Sequence, residues 1–203
     1  MPNWCYTTLT VTGSANRVAE FIEFAKSKSN DSELTFDNFV PMPPSLHVES
    51  SSTAEMGHRI FHTDQWQGYL DYPWVKEANV TTLQELQAFI ELKHPTAKAL
   101  GQIYADNLTA YGHKTWYDWS IHHWGTKWYA CNVQIQQKRG KLTTIKYSFK
   151  TAWSPAMPVF LAMSEKFPDL TFTATFDEEG DLYKFEATWF AGEQTEEINL
   201  MHS

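Results

Sequence analysis

Both ends of this chain carry segments in which apolar and polar residues alternate, and a long stretch with helical spacing separates them. Near the N-terminus Cys5, Leu9 and Val11 alternate with the polar and aromatic residues between Trp4 and Thr12. The same alternation returns in four later segments, at residues 129–136, 144–150, 170–176 and 183–189. A period of two is typical of strands with one buried and one open face. The pattern therefore predicts one antiparallel sheet that is assembled from both ends of the chain.

Apolar residues spaced by three and four predict helices in much of the remaining chain. They cover residues 15–28, a segment from 83 to Pro95, and residues 96–111, 115–124 and 154–167. Thr81 or Thr82 is expected to cap the helix that begins near residue 83. Ser154 followed by Pro155 is a typical helix start, with serine as the cap and proline in the first helical position.

Without its middle block, the chain has the element order β-α-β-β-α-β, which is the ferredoxin-like pattern. We therefore predict an α+β fold with a ferredoxin-like antiparallel sheet, an extra C-terminal strand and a large, mainly helical insertion. The predicted boundaries are a discontinuous sheet domain at residues 1–36 and 126–192, an insertion at 37–125 and an acidic C-terminal tail at 193–203.

Composition narrows the classes of function. With 203 residues, 42% of them hydrophobic and 20% charged, the chain has the balance of a globular protein. No apolar run reaches the roughly 18 residues of a membrane-spanning helix, so no membrane association is expected. The N-terminus lacks the pattern of a signal peptide, and the two cysteines lie far apart. Both observations favour a cytoplasmic protein without a disulfide.

A stretch rich in tryptophan, residues 116–128, marks the best candidate for a recognition surface. Indole combines a large apolar surface with one N–H donor, so this density indicates either a packed structural corner or a binding surface. We predict a binding surface built from aromatic and cationic residues: Trp4, Tyr6, Trp116, Trp119, His123, Trp124, Lys127, Trp128 and Trp153. The alternative is that these residues form a structural tryptophan box.

Charged residues are unevenly distributed, although the formal net charge of −8 disfavours unspecific binding to nucleic acid. A candidate basic patch surrounds one predicted hairpin and contains Lys138, Arg139, Lys141, Lys146 and Lys150. A candidate acidic patch lies at the tip of the next hairpin and contains Asp177, Glu178, Glu179 and Asp181. The strand registers place Trp4 and Tyr6 beside Lys146 and Lys150 on the open face of the sheet. Base stacking on such a face is how ferredoxin-like RNA-binding domains work.

No combination of residues points to a catalytic centre. His58 and His62 have the spacing of ligands on one helical face, but the further ligands of a metal-binding motif are missing. Cys5 and Cys131 alternate with core-facing residues and resemble small buried hydrophobic residues rather than nucleophiles. We predict no catalytic residue, no bound metal and no cofactor. An enzyme with a tryptophan-lined pocket remains an alternative.

Four short strings, in this order and spacing, resemble the YubB-type ferredoxin-like family of bacteriophages, conjugative plasmids and integrated elements. They are Met1–Cys5, Phe39–Pro43, Trp124–Trp128 and Thr151–Pro155. The resemblance spans nearly the whole chain and implies a small accessory protein of a mobile genetic element. The family has no assigned function, so the resemblance transfers no catalytic residues.

The chain departs from the pattern of that family at four positions. These are Thr7 and His123, where the family often has asparagine, Tyr129, where it has an acidic residue, and Ala156, where it has proline. If those polar positions line a shared pocket, its ligand differs in this chain. The retained Trp124, Lys127, Trp128 and Trp153 are able to form an aromatic wall beside a cation.

These observations favour a non-enzymatic protein that binds a partner encoded by the host or by the mobile element. Inhibition of a host defence or of a nucleic-acid-processing system is the role that this hypothesis suggests. The alternative from a different class is a nucleic-acid or nucleotide-binding module that uses the open sheet face.

Overall fold

The computed structural model describes residues 3–136 and 142–201. The seven α-helices in this part of the chain are α1 (Ala15–Ala25), α2 (Ser52–His62), α3 (Pro73–Lys76), α4 (Leu83–Lys93), α5 (Ala97–Tyr111), α6 (Trp116–His123) and α7 (Met157–Lys166). The strands are β1 (Trp4–Thr12), β2 (Cys131–Ile135), β3 (Thr144–Ala152), β4 (Thr171–Glu178), β5 (Lys184–Phe190) and β6 (Glu193–Asn199). Short 3₁₀ helices occupy Phe36–Asn38, Pro44–Leu46 and Gln67–Asp71.

The six strands form one antiparallel sheet in the order β2-β3-β1-β4-β5-β6. Its first four strands, with α1 and α7 as the connecting helices, have the ferredoxin-like topology. The predicted fold class is confirmed, including the helical insertion between α1 and β2. The prediction of a single extra strand is wrong, because two strands follow β4 in the sheet. Residues predicted as an acidic tail form β6, which pairs with β5 along Glu193–Asn199.

The chain is organised as two compact units. One comprises the residues up to Met42 together with those from Ser120 onward, and the other is Pro43–Trp119. We call them the sheet unit and the helical unit. Sequence analysis had placed the ends of the insertion at residues 37 and 125, a few residues outside the observed limits.

Burial of apolar side chains fixes which face of the sheet is covered. In β1, Cys5, Leu9 and Val11 are fully buried, whereas Tyr6 is half-exposed. Phe21 of α1 and Phe160 of α7 pack over the same face as Phe172 and Phe176 of β4. The opposite face is open and carries the alternating polar residues, as the period-two pattern predicts.

The start of β2 differs from the expected alternation. Cys131 pairs with Lys150 and Gln134 pairs with Ser148, so the register shifts between these two pairs. Asn132, within the bulge, has a positive φ of 55°. An inserted residue shifts the alternation, so side chains before the bulge point to the opposite face of the sheet from the one expected. Cys131 is therefore partly exposed beside Lys150 rather than directed to the core, as its position in the sequence had suggested.

Helix α7 also begins later than predicted. The cap residue is Ala156 rather than Ser154, and the proline in the first turn is Pro158. Ser154 Oγ instead donates a hydrogen bond to the Gly125 carbonyl oxygen at 2.6 Å. A hydroxyl used for a long-range contact is not available to cap a helix.

One polar atom in the core of the sheet unit has no partner among the described residues. The hydroxyl of Tyr147 is buried without a hydrogen bond, and burial raises the pKa of this phenol. Because a buried donor without a partner costs about 1–3 kcal/mol, Tyr147→Phe is expected to leave the free energy of unfolding unchanged or to raise it by about 1 kcal/mol. Urea denaturation followed by tryptophan fluorescence measures the change. A loss of more than about 1 kcal/mol would show that the hydroxyl has a stabilising partner.

In the helical unit, α2 and α5 cross with glycine facing glycine. A Cβ atom on Gly101 would lie 2.8 Å from the Gly57 carbonyl oxygen, and one on Gly57 would lie 2.5 Å from the Ala97 carbonyl carbon. The remaining core is apolar and comprises Met56, Ile60, Val75, Leu86, Ile90 and Ala97. The two glycines permit the backbones of α2 and α5 to approach closely.

Within the described residues, no helix is long and apolar enough to cross a membrane.

Candidate functional site

The open face of the sheet holds the candidate site. Register pairs Tyr6 with Lys150 and Thr8 with Ser148, which confirms the predicted arrangement of β1 beside β3. A shallow groove of about 420 Å³ runs between these strands and β2. Asn132 and Gln134 supply amide groups from β2 to its wall. Tyr6, which is 49% exposed, and Phe149 add apolar surface to the groove.

Aromatic rings and lysines converge at one end of this groove. We call Trp4, Tyr6, Lys127, Trp128, Lys150 and Trp153 the aromatic–lysine cluster. The ammonium nitrogen of Lys150 lies 4.1 Å from the centre of a Trp4 ring, and the Trp4 and Trp128 rings are 5.9 Å apart. Lys127 Nζ lies 4.7 Å from a Trp128 ring and 5.0 Å from a Trp153 ring. Contacts of this kind orient both partners and each contributes about 0.5–2 kcal/mol.

The backbone of Trp153 has an unusual conformation. Its φ is +72°, in the left-handed region that favours glycine, and the side chain is 42% exposed. Two hydrogen bonds hold the residue there: its N–H donates to the Asn3 carbonyl oxygen at 2.9 Å, and Tyr183 Oη donates to its carbonyl oxygen at 3.2 Å. A non-glycine residue in this region costs about 1–2 kcal/mol, which the surrounding structure must supply.

The loop that carries Lys127 is fixed on both sides. The buried Thr126 hydroxyl donates to the Ala152 carbonyl oxygen at 2.8 Å. Ser120 Oγ donates to the Lys127 carbonyl oxygen at 2.9 Å. These bonds hold the backbone of the loop in place before any partner arrives, so little backbone entropy remains to be lost there on binding.

The hairpin tip predicted as an acidic patch has mainly a structural role. Glu178 is buried, and Oε2 accepts hydrogen bonds from Gly180 N at 2.7 Å and Leu182 N at 3.2 Å. Burial raises the pKa of this carboxyl, but hydrogen bonds from Leu182, Asn3 and Gly180 outweigh it, and the pKa is lowered. A turn with inward N–H groups needs such an acceptor. Glu178 therefore cannot belong to an exposed patch.

The other acidic residues of the tip also have specific contacts. Glu179 Oε2 accepts a hydrogen bond from the Trp4 N–H at 3.0 Å, which ties the tip to the start of β1. Asp177 forms an ion pair of 2.7 Å with Lys184, while Asp181 is exposed. The four carboxylates thus do not form one continuous surface.

Four of the aromatic and histidine residues predicted for the binding surface lie elsewhere. Trp124 is 1% exposed and Nε1–H donates to the Val40 carbonyl oxygen at 2.9 Å, so it belongs to the core of the sheet unit. Trp119 is also buried and, like Trp116, belongs to the helical unit. His123 is half-buried and stacks edge-on against His122. Core packing explains this outcome, because an indole hidden from water stabilises a fold more than an exposed one.

The predicted basic patch is described only in part. Lys146 and Lys150 lie four positions apart on β3 and share the open face. Lys138, Arg139 and Lys141 lie outside the described residues. In the described part of the chain, Lys150 forms no salt bridge, and its contact with Trp4 is its main fixed interaction.

Neither thiol has the environment of a reactive cysteine. Burial raises the pKa of Cys5, despite polar contacts with Tyr183 and Thr7 that lower it. Burial also raises the pKa of Cys131, more than the nearby Lys150 lowers it. Because the thiolate is the nucleophilic form, these pKa values disfavour covalent catalysis at either residue.

Sequence reasoning missed two residues that shape the site. Asn3 and Tyr183 hold the backbone of Trp153, and neither shows this role in the local sequence. Asn3 precedes the first strand and Tyr183 lies between β4 and β5, so only the folded sheet brings them together. The bulge that places Cys131 on the same face of β2 as Gln134 was also missed, because nothing in the local sequence indicates it.

Comparison with known proteins supports the fold. Residues 123–188 match a family model described as the ferredoxin-like domain in Api92-like protein. The crystal structure of the protein api92 from Yersinia pseudotuberculosis resembles the whole chain, with a TM-score of 0.53 and 12% sequence identity. The alignment covers 100% of this chain and 99% of that one. No curated protein matches the sequence.

Proposed function

We propose that this chain is a non-enzymatic binding protein that recognises a protein partner through the aromatic–lysine cluster. The observation that carries the proposal is Trp153, a half-exposed tryptophan held in a backbone conformation that only glycine adopts without cost. Strain of this kind persists at functional sites because the side chain is needed where the strain places it. Glycine at this position would stabilise the fold and remove the ring.

The composition of the cluster supports a protein partner. Tryptophan and tyrosine are enriched at the energetic centres of protein interfaces, because they bury much area and lose little side-chain entropy. Trp4, Trp128 and Trp153 already contact lysines, so the surface is preorganised. Lys127 and Lys150 give it a positive character within a chain of net charge −8. A partner segment that combines apolar side chains with carboxylates fits this arrangement.

The wider role in this proposal comes from the resemblance of the sequence to proteins of mobile elements. In this role the chain is a cytoplasmic accessory protein of a phage or plasmid that binds a component of host defence or nucleic-acid processing.

Trp153→Gly is the variant that separates a functional from a structural role. Loss of the ring is expected to abolish capture of the partner, because the centre of the cluster is removed. Release of the left-handed strain is expected to keep or raise the free energy of unfolding, by about 1 kcal/mol. Capture is measured by affinity purification with nuclease-treated lysate of a host that carries the element, and stability by urea denaturation.

Ala191→Gly provides the matched control. Ala191 also has a positive φ, 50°, and lies in the turn between β5 and β6. Ala191→Gly releases the same kind of strain but removes no aromatic ring, so it should leave capture of the partner protein unchanged. Equal capture by wild type and Trp153→Gly, or a large loss of stability in Trp153→Gly, would contradict the proposal.

A second candidate function rests on the register of Tyr6 beside Lys150. An exposed ring next to a lysine, above a groove with amide and hydroxyl groups, is suited to single-stranded nucleic acid. Binding of a labelled oligonucleotide that weakens with salt and is lost in Lys146→Ala with Lys150→Ala would favour this function. Nuclease-resistant capture of a protein that is lost in Trp153→Gly would favour the first.

A further inference from the structure

The outer edge of the sheet at β6 is a second surface, separate from the aromatic–lysine cluster. β6 is the last strand in the sheet order and, among residues 3–136 and 142–201, pairs with β5 alone. All seven residues of Glu193–Asn199 are exposed. An edge strand presents unpaired backbone N–H and C=O groups, which are a template for another extended chain.

The hydrogen-bond phase of β6 identifies the outward groups. The Leu200 N–H donates to the Lys184 carbonyl oxygen at 2.9 Å, so residue 200 directs its backbone groups toward β5. In an antiparallel ladder these groups alternate in direction from one residue to the next. Glu196 and Ile198 therefore direct their backbone N–H and C=O groups toward β5, while Glu197 and Asn199 direct theirs outward. The register is regular from Glu196 to Asn199, beyond a bulge before Glu196.

Charge then selects the kind of strand that can pair there. The segment contains Glu193, Glu196 and Glu197 and no lysine or arginine. On the open face, Glu186 of β5 lies directly beside Ile198 and adds a further carboxylate. Two copies of this edge would bring like charges opposite one another, which is destabilising. A strand rich in lysine or arginine would instead place opposite charges across the new ladder.

We propose that β6 binds an extended, basic segment of another protein by β-strand addition. Outward backbone groups of Glu197 and Asn199 supply the hydrogen bonds, and the glutamates select the basic side chains. The two edges of the sheet differ in this respect. At the other end of the strand order, β2 has five residues and pairs regularly at Gln134 and Ile135, so its regular edge is shorter than that of β6, which runs from Glu196 to Asn199.

Glu197→Pro tests the backbone component. Proline removes the outward N–H at this position and is tolerated on an edge strand, so the sheet should stay intact. Binding of a fluorescent peptide with alternating lysine and valine is measured by anisotropy at several salt concentrations. The expected result is binding to wild type that weakens with salt, and affinity about tenfold lower in Glu197→Pro because one backbone hydrogen bond is lost.

Glu197→Gln is the matched variant, since it removes the same charge but retains the N–H. It should weaken binding less than Glu197→Pro does. The same peptide with alternate backbone amides methylated should bind poorly, because it cannot complete a ladder. Equal affinity of the methylated peptide or of Glu197→Pro would overturn the proposal, as would self-association of the protein through this edge. Trp153→Gly should retain peptide binding, which separates this inference from the proposed function.

Discussion

Gly57→Ala is expected to unfold or severely destabilise the helical unit. The added methyl group would lie 2.5 Å from the Ala97 carbonyl carbon, which is backbone and cannot rotate away. Overpacking against side chains typically costs 1–3 kcal/mol, and here α2 and α5 must separate, so a loss of about 3 kcal/mol or more is expected. Gly101→Ala should behave in the same way, because its Cβ would meet the Gly57 backbone. Hydrogen exchange of the α2 and α5 amides measures the effect.

Gly68→Ala is the control for this prediction. A Cβ at Gly68 would meet nothing within 4 Å, so the same chemical change should alter stability by less than about 1 kcal/mol. Comparable stability of Gly57→Ala and Gly68→Ala would mean that α2 and α5 do not approach as closely as the structure indicates.

Trp124→Ala is expected to destabilise the sheet unit by about 3–5 kcal/mol. The indole is 1% exposed, packs against Phe36 and Tyr129, and donates its N–H to the Val40 carbonyl oxygen. Its removal leaves a large cavity and a carbonyl group without its partner. Thermal unfolding followed by circular dichroism measures the loss.

Trp124→Phe distinguishes the two contributions. It retains most of the ring volume but removes the N–H donor, so its destabilisation should lie between those of wild type and Trp124→Ala. If Trp124→Ala kept full stability and instead lost the binding partner, Trp124 would belong to the recognition surface that the sequence predicted, and its assignment to the core would be wrong.

The parts of the fold that depend on burial could be predicted from the sequence. Alternation in β1 indicated the buried face because apolar side chains such as Leu9 and Val11 are more stable when they are buried on one side of the strand. The cap of α4 was also recognisable, since Thr82 and Glu85 form the reciprocal hydrogen bonds of a capping box. Both signals can be read from a short stretch of sequence.

Features without a local signal were missed. β6 has no buried face, so a Glu-rich strand resembles a solvated tail, and only pairing with β5 reveals it. The tight turn before it depends on Ala191 and Gly192, both with positive φ. The structure divides the aromatic residues predicted for the binding surface between the surface and the core. Their division between surface and core depends on contacts such as Trp124 with Val40, which lie far apart in the chain.

Photo-crosslinking from position 6 is the most direct test of the central claim that the aromatic–lysine cluster binds a protein. A photoreactive phenylalanine analogue replaces Tyr6, and in a control protein it replaces Leu92, which is 77% exposed in the helical unit. Irradiation of cells that naturally produce this chain should give a nuclease-resistant protein adduct from position 6 and none from position 92, and the adduct should disappear in Trp153→Gly. Adducts of equal yield from both positions, an adduct that nuclease removes, or an adduct that persists in Trp153→Gly would contradict the claim.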